Sequence, residues 1–257
     1  MRVSKPLASY FTYSIGKNLY VPLTSRSNAR TLPETRGAGF LLCADVVAAL
    51  CRVRDEEHGT TQWAPWCTYL DTQDNKQKLP PPLESIATLL EISRQTRLPS
   101  VQDLGAQIRE VCQSQPDFES IVMAGEGEPT LRLDDMLDLV EEINSCSSEL
   151  MPKKIRLTTN GLVESPEAVV TKLKAAGIAS VSVALMTADA EQYEILMAPV
   201  VPDGHGMVCD FIEQAVNAGL EVETTGVDRP DVDKIRAEEL STSLKVLSPM
   251  RWRPFFP

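Results

Sequence analysis

AGEGEPTLR at residues 124–132 and LTTNGL at 157–162 each stand where a short apolar run gives way to a turn. FESIVMA (118–124) leads into the first and KKIRLTT (153–159) into the second, and both read as buried strands. Between them, LDDMLDLVEEINSC (133–146) sets Leu133, Met136, Leu137, Val140 and Ile143 at helical spacing. Strand, helix and strand in this order predict parallel strands joined by right-handed crossovers.

The same alternation continues outward. SPEAVVTKLKAAG (165–177) predicts a helix with Ser165 as N-cap, Pro166 at its first position and Gly177 as C-cap. ASVSVAL (179–185) is a strand, DAEQYEILM and GMVCDFIEQAVNAG are helical, and LEVETTGV (220–227) is a further strand. DKIRAEELSTSL is a helix and MRWRPFF a last strand. With NLYVPLT (18–24) the strands number six, enough for an open doubly wound sheet or a partial barrel. No strand is followed by G-x-G-x-x-G, so a dinucleotide-binding domain lacks its fingerprint.

Residues 41–103 interrupt this rhythm. ADVVAALCRVRDEE is a helical pattern, and the polar TQWAPWCTYLDTQDNKQKLPPPLE follows. ESIATLLEISRQT and VQDLGAQIREVCQ are two more helical patterns. A connection of this length between two strands reads as an insertion within one domain spanning residues 1–257, with Pro80, Pro81 and Pro82 marking a stiff join.

With 257 residues, 43% of them hydrophobic, the chain can bury one large core. Its formal net charge is -11, from 36 acidic and 25 scattered basic residues, which argues against nucleic acid or an anionic membrane as partner. No apolar run reaches membrane-span length and the N-terminus lacks a signal-peptide core, so a cytoplasmic location is expected. Cys43, Cys51, Cys67, Cys112, Cys146 and Cys209 form no C-x-x-C pair and have no histidine at metal-site spacing. Reduced, buried thiols are the expectation for most of them.

GEPTLR, then TNGL, then a strand followed by A-D-A-x-x-Y-x-x-L-x-x-P (188–199), close to the family's A-x-D-A-x-x-Y-x-x-L-x-x-P, then V-D-x-P at Val227–Pro230 resemble the radical S-adenosylmethionine (SAM) superfamily, its TatD-associated branch in particular. The resemblance covers 18–36 and 118–256 and implies a six-stranded partial (β/α)6 barrel of TIM type. The helical insertion then follows the first strand, and the site lies at the carboxyl ends of the strands. It also implies a four-iron, four-sulfur cluster on a C-x-x-x-C-x-x-C loop after that strand, with SAM bound to the cluster.

This chain departs from that pattern at every thiolate. Aligning Leu23, Thr24 and Arg26 with the family's L-T-x-R-C-x-N-x-C-x-x-C puts Ser27, Thr31 and Glu34 at the three cysteine positions. Cluster irons are held by soft thiolates, and two neutral hydroxyls and a hard carboxylate do not replace them. Ala184, Leu185 and Met186 stand where the family commonly has a polar Asn near the SAM ribose.

By resemblance the residues that would hold SAM are Gly127, Glu128, Pro129, Asn160 and Asp228, with Glu128 receiving the SAM amino group. Against this, G-E-P serves equally as a strand-end turn, and Asn160-Gly161 makes a tight turn with no ligand. Three functions stay open. One is a pseudoenzyme that binds or regulates, contacting a protein partner through Trp63, Trp66 and Tyr69. The second is a SAM-binding enzyme with non-radical chemistry, for which Glu126 and Glu128 are the paired carboxylates, while His58 and His205 read as surface residues. The third is a working radical SAM enzyme whose cluster is held by other cysteines, Cys43, Cys51 and Cys67 being the nearest.

Overall fold

The computed structural model describes residues 11–40, 42, 46, 49–50, 62–63, 98–125, 127–146 and 151–257. Its sheet has seven strands in the order β1 (Tyr13–Ile15), β2 (Asn18–Val21), β5 (Ser120–Met123), β6 (Lys154–Thr159), β7 (Ser180–Ala184), β8 (Glu221–Asp228) and β9 (Arg251–Pro254). The six strands from β2 to β9 are parallel, and β1 pairs antiparallel with β2, setting Tyr13 against Tyr20. The sheet is therefore a curled, mixed half-barrel rather than a purely parallel six-stranded one. A separate two-stranded ribbon pairs β3 (Arg26–Ser27) with β4 (Gln62–Trp63).

Seven α-helices accompany the strands among the described residues: α1 (Leu32–Thr35), α2 (Val101–Ser114), α3 (Leu133–Ser145), α4 (Pro166–Ala176), α5 (Ala190–Met197), α6 (Gly204–Asn217) and α7 (Lys234–Ser243). Two of them, α5 and α6, separate β7 from β8, so the helices do not alternate one for one with the strands. Gly177 ends α4 in the left-handed conformation, as the sequence leads one to expect, whereas Ser165 precedes it without a side-chain cap bond. Ser100 caps α2, with Asp103 returning the bond to its amide.

Alternation along each strand sends Leu19, Val21, Ile121, Met123, Ile155, Leu157, Val181 and Val183 to one face, where they join Ile108, Leu139, Leu173 and Phe211 of the helices in one buried core. The other face carries Arg156, Ser182, Glu223 and Thr225, of which Ser182 and Glu223 are direct register partners. Most of the insertion expected at 41–103 lies outside the described residues, Trp66 and Tyr69 included; Trp63 is seen as the end of β4. Residues 46, 49 and 50 are helical, and Val46, Ala49 and Leu50 pack on Tyr13.

Candidate functional site

After β5 the chain must pass under the loop that follows β2. A side chain at Gly127 would place its Cβ 2.6 Å from the Arg26 carbonyl oxygen and nearer still to that of Thr24, so only glycine fits. The Glu128 amide then donates to the Arg26 carbonyl at 2.8 Å. Pro129 opens a 3₁₀ turn whose first amide is capped by the Glu128 side chain.

Glu128 is almost fully buried, and its carboxylate gathers two strand ends. Oε1 accepts from the Thr130 amide (3.0 Å), the Thr130 hydroxyl (2.8 Å) and the Thr159 hydroxyl (2.8 Å). Oε2 accepts from the Asn160 amide at 2.7 Å. Asn160 Nδ2 in turn donates to Asn28 Oδ1 at 2.7 Å, and Asn28 Nδ2 donates to the Leu162 carbonyl at 2.9 Å. Burial raises the Glu128 pKa above its ordinary value, and the bonds from Asn160, Thr130 and Thr159 oppose that rise without cancelling it. The three elements meeting here are the loop after β2 and the ends of β5 and β6.

Ser27 and Glu34 are engaged inside their own loop, whereas the Thr31 hydroxyl is buried with no hydrogen-bond partner among the described residues. The Ser27 hydroxyl donates to the Ala29 carbonyl at 2.6 Å and accepts from the Ala29 amide. Thr31 is the N-cap of α1, with Pro33 in its first turn, and Glu34 reaches back to accept from the Thr31 amide at 2.6 Å. The segment is thus a short, capped helical turn. It is stitched to its surroundings along its whole length. Asn28 accepts from the Val200 amide, Arg30 donates to the Met197 carbonyl, Arg229 donates to the Thr35 carbonyl, and Arg36 accepts from the Phe256 amide.

These elements surround a small recess of about 60 Å³ lined by Ser27, Thr31, Glu128, Thr158, Asn160 and Thr225 among others. That is room for a few water molecules or one small polar group. Gly127 and Ala184 also line it, whereas Pro129 lies behind Glu128 and is buried. Asp228 lies elsewhere. It sits half-exposed at the end of β8, 2.7 Å from Lys234 Nζ, and is not part of the recess wall. Met186 is fully buried with φ 64°, a left-handed backbone that suits Asn better than Met, and its side chain belongs to the core. His205 Nε2 lies 3.2 Å from the Thr187 carbonyl, with its ring edge-on to Tyr193. Glu126 and His58 lie outside the described residues.

Sequence reading missed four contributors: Asn28, Thr130, Thr159 and Arg132. Arg132, the last residue of GEPTLR, donates to the Leu23 carbonyl at 2.7 Å and pairs with Asp135, pinning the end of β2. The signal for Thr130 and Thr159 was their place beside Glu128 and Asn160 in the two motifs.

The donor set at 27, 31 and 34 does not fit an iron–sulfur cluster. Two hydroxyls stay protonated and the carboxylate is spent on a helix cap. Among the described residues no three His, Cys, Asp or Glu side chains come together as a metal site. A SAM amino group would meet Glu128, whose Oε2 accepts one bond among the described residues and which lines the recess.

No protein-family model matches the chain, and no curated protein matches its sequence. Among solved structures, SuiB of Streptococcus suis bound to S-adenosylmethionine superposes with a TM-score of 0.50 at 17% identity, over 63% of this chain and 35% of SuiB. The fold is similar to that of radical SAM enzymes. HydG, a maturase of the FeFe-hydrogenase, gives 0.48 at 11% identity over 84% of this chain and 51% of its own. TYW1 with a lysine-pyruvate adduct gives 0.46 at 11% over 73% and 60%. The chain thus spans about a third of the length of SuiB. No helix among the described residues is long and apolar enough to cross a membrane.

Proposed function

We propose that this chain is a radical-SAM-like protein of the TatD-associated kind that has given up cluster chemistry and serves as a non-catalytic binding or regulatory module of the cytoplasm. The observation that carries this reading is the capped turn over 31–35, in which Thr31 and Glu34 hold a helix start at the positions where the resemblance requires thiolates. A loop committed to that turn and bonded to the ends of several strands has no side chain to offer an iron. A protein partner would approach through the segment bearing Trp63, Trp66 and Tyr69.

The decisive experiment is anaerobic incubation with iron and sulfide, followed by desalting, iron analysis and visible spectroscopy. Colourless protein with no retained iron supports the reading. Four irons per chain with the charge-transfer absorbance of a cluster sinks it and points to Cys43, Cys51 and Cys67.

A second reading, a SAM-binding protein with non-radical chemistry, is favoured by the Glu128 carboxylate lining the recess with one oxygen lightly used. Calorimetric titration of SAM into the metal-free chain tests it, with Ala184→Phe as the variant that fills the recess. Saturable binding lost in Ala184→Phe supports the reading, and an absence of heat in the unmodified chain ends it.

A further inference from the structure

The face of the sheet turned away from the main core concentrates positive charge in a chain whose formal net charge is -11. On that face Val122, Arg156 and Ser180 are register partners, as are Thr158, Ser182 and Glu223, and as are Ala184, Thr225 and Arg251. Arg253 follows two residues after Arg251, paired with Val227. Two pairings consume charge: Arg251 Nε lies 2.6 Å from Glu223 Oε1, and Arg156 lies 3.6 Å from Glu223 Oε2. Lys154 and Glu221, one step nearer the strand starts, neutralise each other at 2.7 Å. One carboxylate therefore answers three guanidinium groups among the described residues, and Arg36 adds its field to Arg253.

Arg253 is the group left over. Its Nε is buried and finds no hydrogen-bond partner among the described residues. Burial, with Arg251 beside it, lowers its pKa to about 10, against the weaker pull of Tyr20 and Glu223. A buried guanidinium donor without an acceptor is costly, and a ligand oxyanion would relieve it. The face is also reachable: Thr158, Ala184 and Thr225 line the strand-end recess, and each lies on the same face as Arg156, Ser182 or Glu223, two residues further along its strand. Two residues along a strand is about 7 Å.

We propose that Arg156, Arg251 and Arg253 form an anion-binding site on the concave face of the sheet. It receives the carboxylate or phosphate group of a small molecule that enters through the strand-end recess. Guanidinium forks match both oxyanions in geometry, and Glu223, paired with Arg251 and Arg156, competes with the ligand for them. The inference rests on the reading of the recess as a ligand entry. It adds to that reading the charge of the ligand and the residues that recognise it.

The test is calorimetric titration of inorganic phosphate, and separately of citrate, into the full chain at low ionic strength. Saturable binding of either anion is expected, and which one binds tells phosphate from carboxylate recognition. Arg253→Gln and Arg156→Gln should each weaken it about tenfold, the value of one charged hydrogen bond. Glu223→Gln removes the competing carboxylate and should tighten binding severalfold, a gain that a folding defect cannot mimic. Arg236→Gln, on an exposed helix, should leave the curve unchanged. No saturable heat with either anion overturns the proposal, as does binding indifferent to both Arg253→Gln and Glu223→Gln. Anion binding without SAM binding keeps this site and removes the SAM reading, and SAM binding without anion binding does the reverse.

Discussion

The Asn160 amide donates to Glu128 Oε2 at 2.7 Å, so the ends of β5 and β6 are joined by a carboxylate that also caps its own turn. That one contact makes the protonation of Glu128 a matter of stability as much as of ligand binding.

Because burial raises the Glu128 pKa in the folded chain, the folded state binds its proton more tightly than the unfolded state does. The stability it contributes is fully present below the ordinary value of 4.5 and is lost as pH rises through the folded value. Glu128→Gln cannot titrate, so its unfolding free energy should lack this decline. Urea midpoints measured for both chains across acid and neutral pH check it; parallel curves would contradict the assignment.

Gly127→Ala should destabilise the chain by about 2–4 kcal/mol, since the new methyl meets backbone carbonyls that cannot swing aside. Gly16→Ala is the complementary control: it carries the strain of a positive φ, which position 127 lacks, but meets no neighbour, and about 1 kcal/mol is expected. Thermal unfolding of the two variants separates steric clash from backbone strain.

Glu34→Ala removes the acceptor of the Thr31 amide and should cost about 0.5–1 kcal/mol. The loss should be local. Amide exchange of residues 31–35 should quicken while that of β6 and β7 stays unchanged. A global loss of protection would show that the turn supports the barrel and is not merely laid across it.

Lys245 is exposed with φ 63°, a conformation that glycine adopts without strain. Lys245→Gly should stabilise by about 0.5–1 kcal/mol, the gain in backbone strain exceeding the added freedom of the unfolded chain. A denaturant midpoint that falls would refute this.

Much of this structure was legible in the sequence because each parallel strand is apolar on the face that meets a helix. The Val181 and Val183 pair and the Ile155 and Leu157 pair show it plainly. β1 escaped notice because three residues carry too little pattern, although Gly16, at φ 58°, supplies the hairpin turn before β2. The T-L-P-E cap was also written in the chain, yet alignment to a cysteine pattern drew attention to what 27, 31 and 34 lack rather than to what they build. Asp228, placed by motif with the SAM residues, pairs with Lys234 at the end of β8, a contact no motif announces. The arginine-rich face could not be read at all before the strand order was known, because Arg156, Glu223 and Arg251 are scattered across nearly a hundred residues and only the register unites them.

A half-barrel leaves its last strand with an unpaired margin, the kind of border on which other chains polymerise. Here that margin is guarded twice. Pro254 interrupts the ladder, and the segment just past α1 takes over the backbone groups beyond it, Arg36 accepting from the Phe256 amide and Gly39 donating to the Phe256 carbonyl. The stretch just past α1 thus works as a selvedge, keeping the open side of the sheet from recruiting strands of its neighbours.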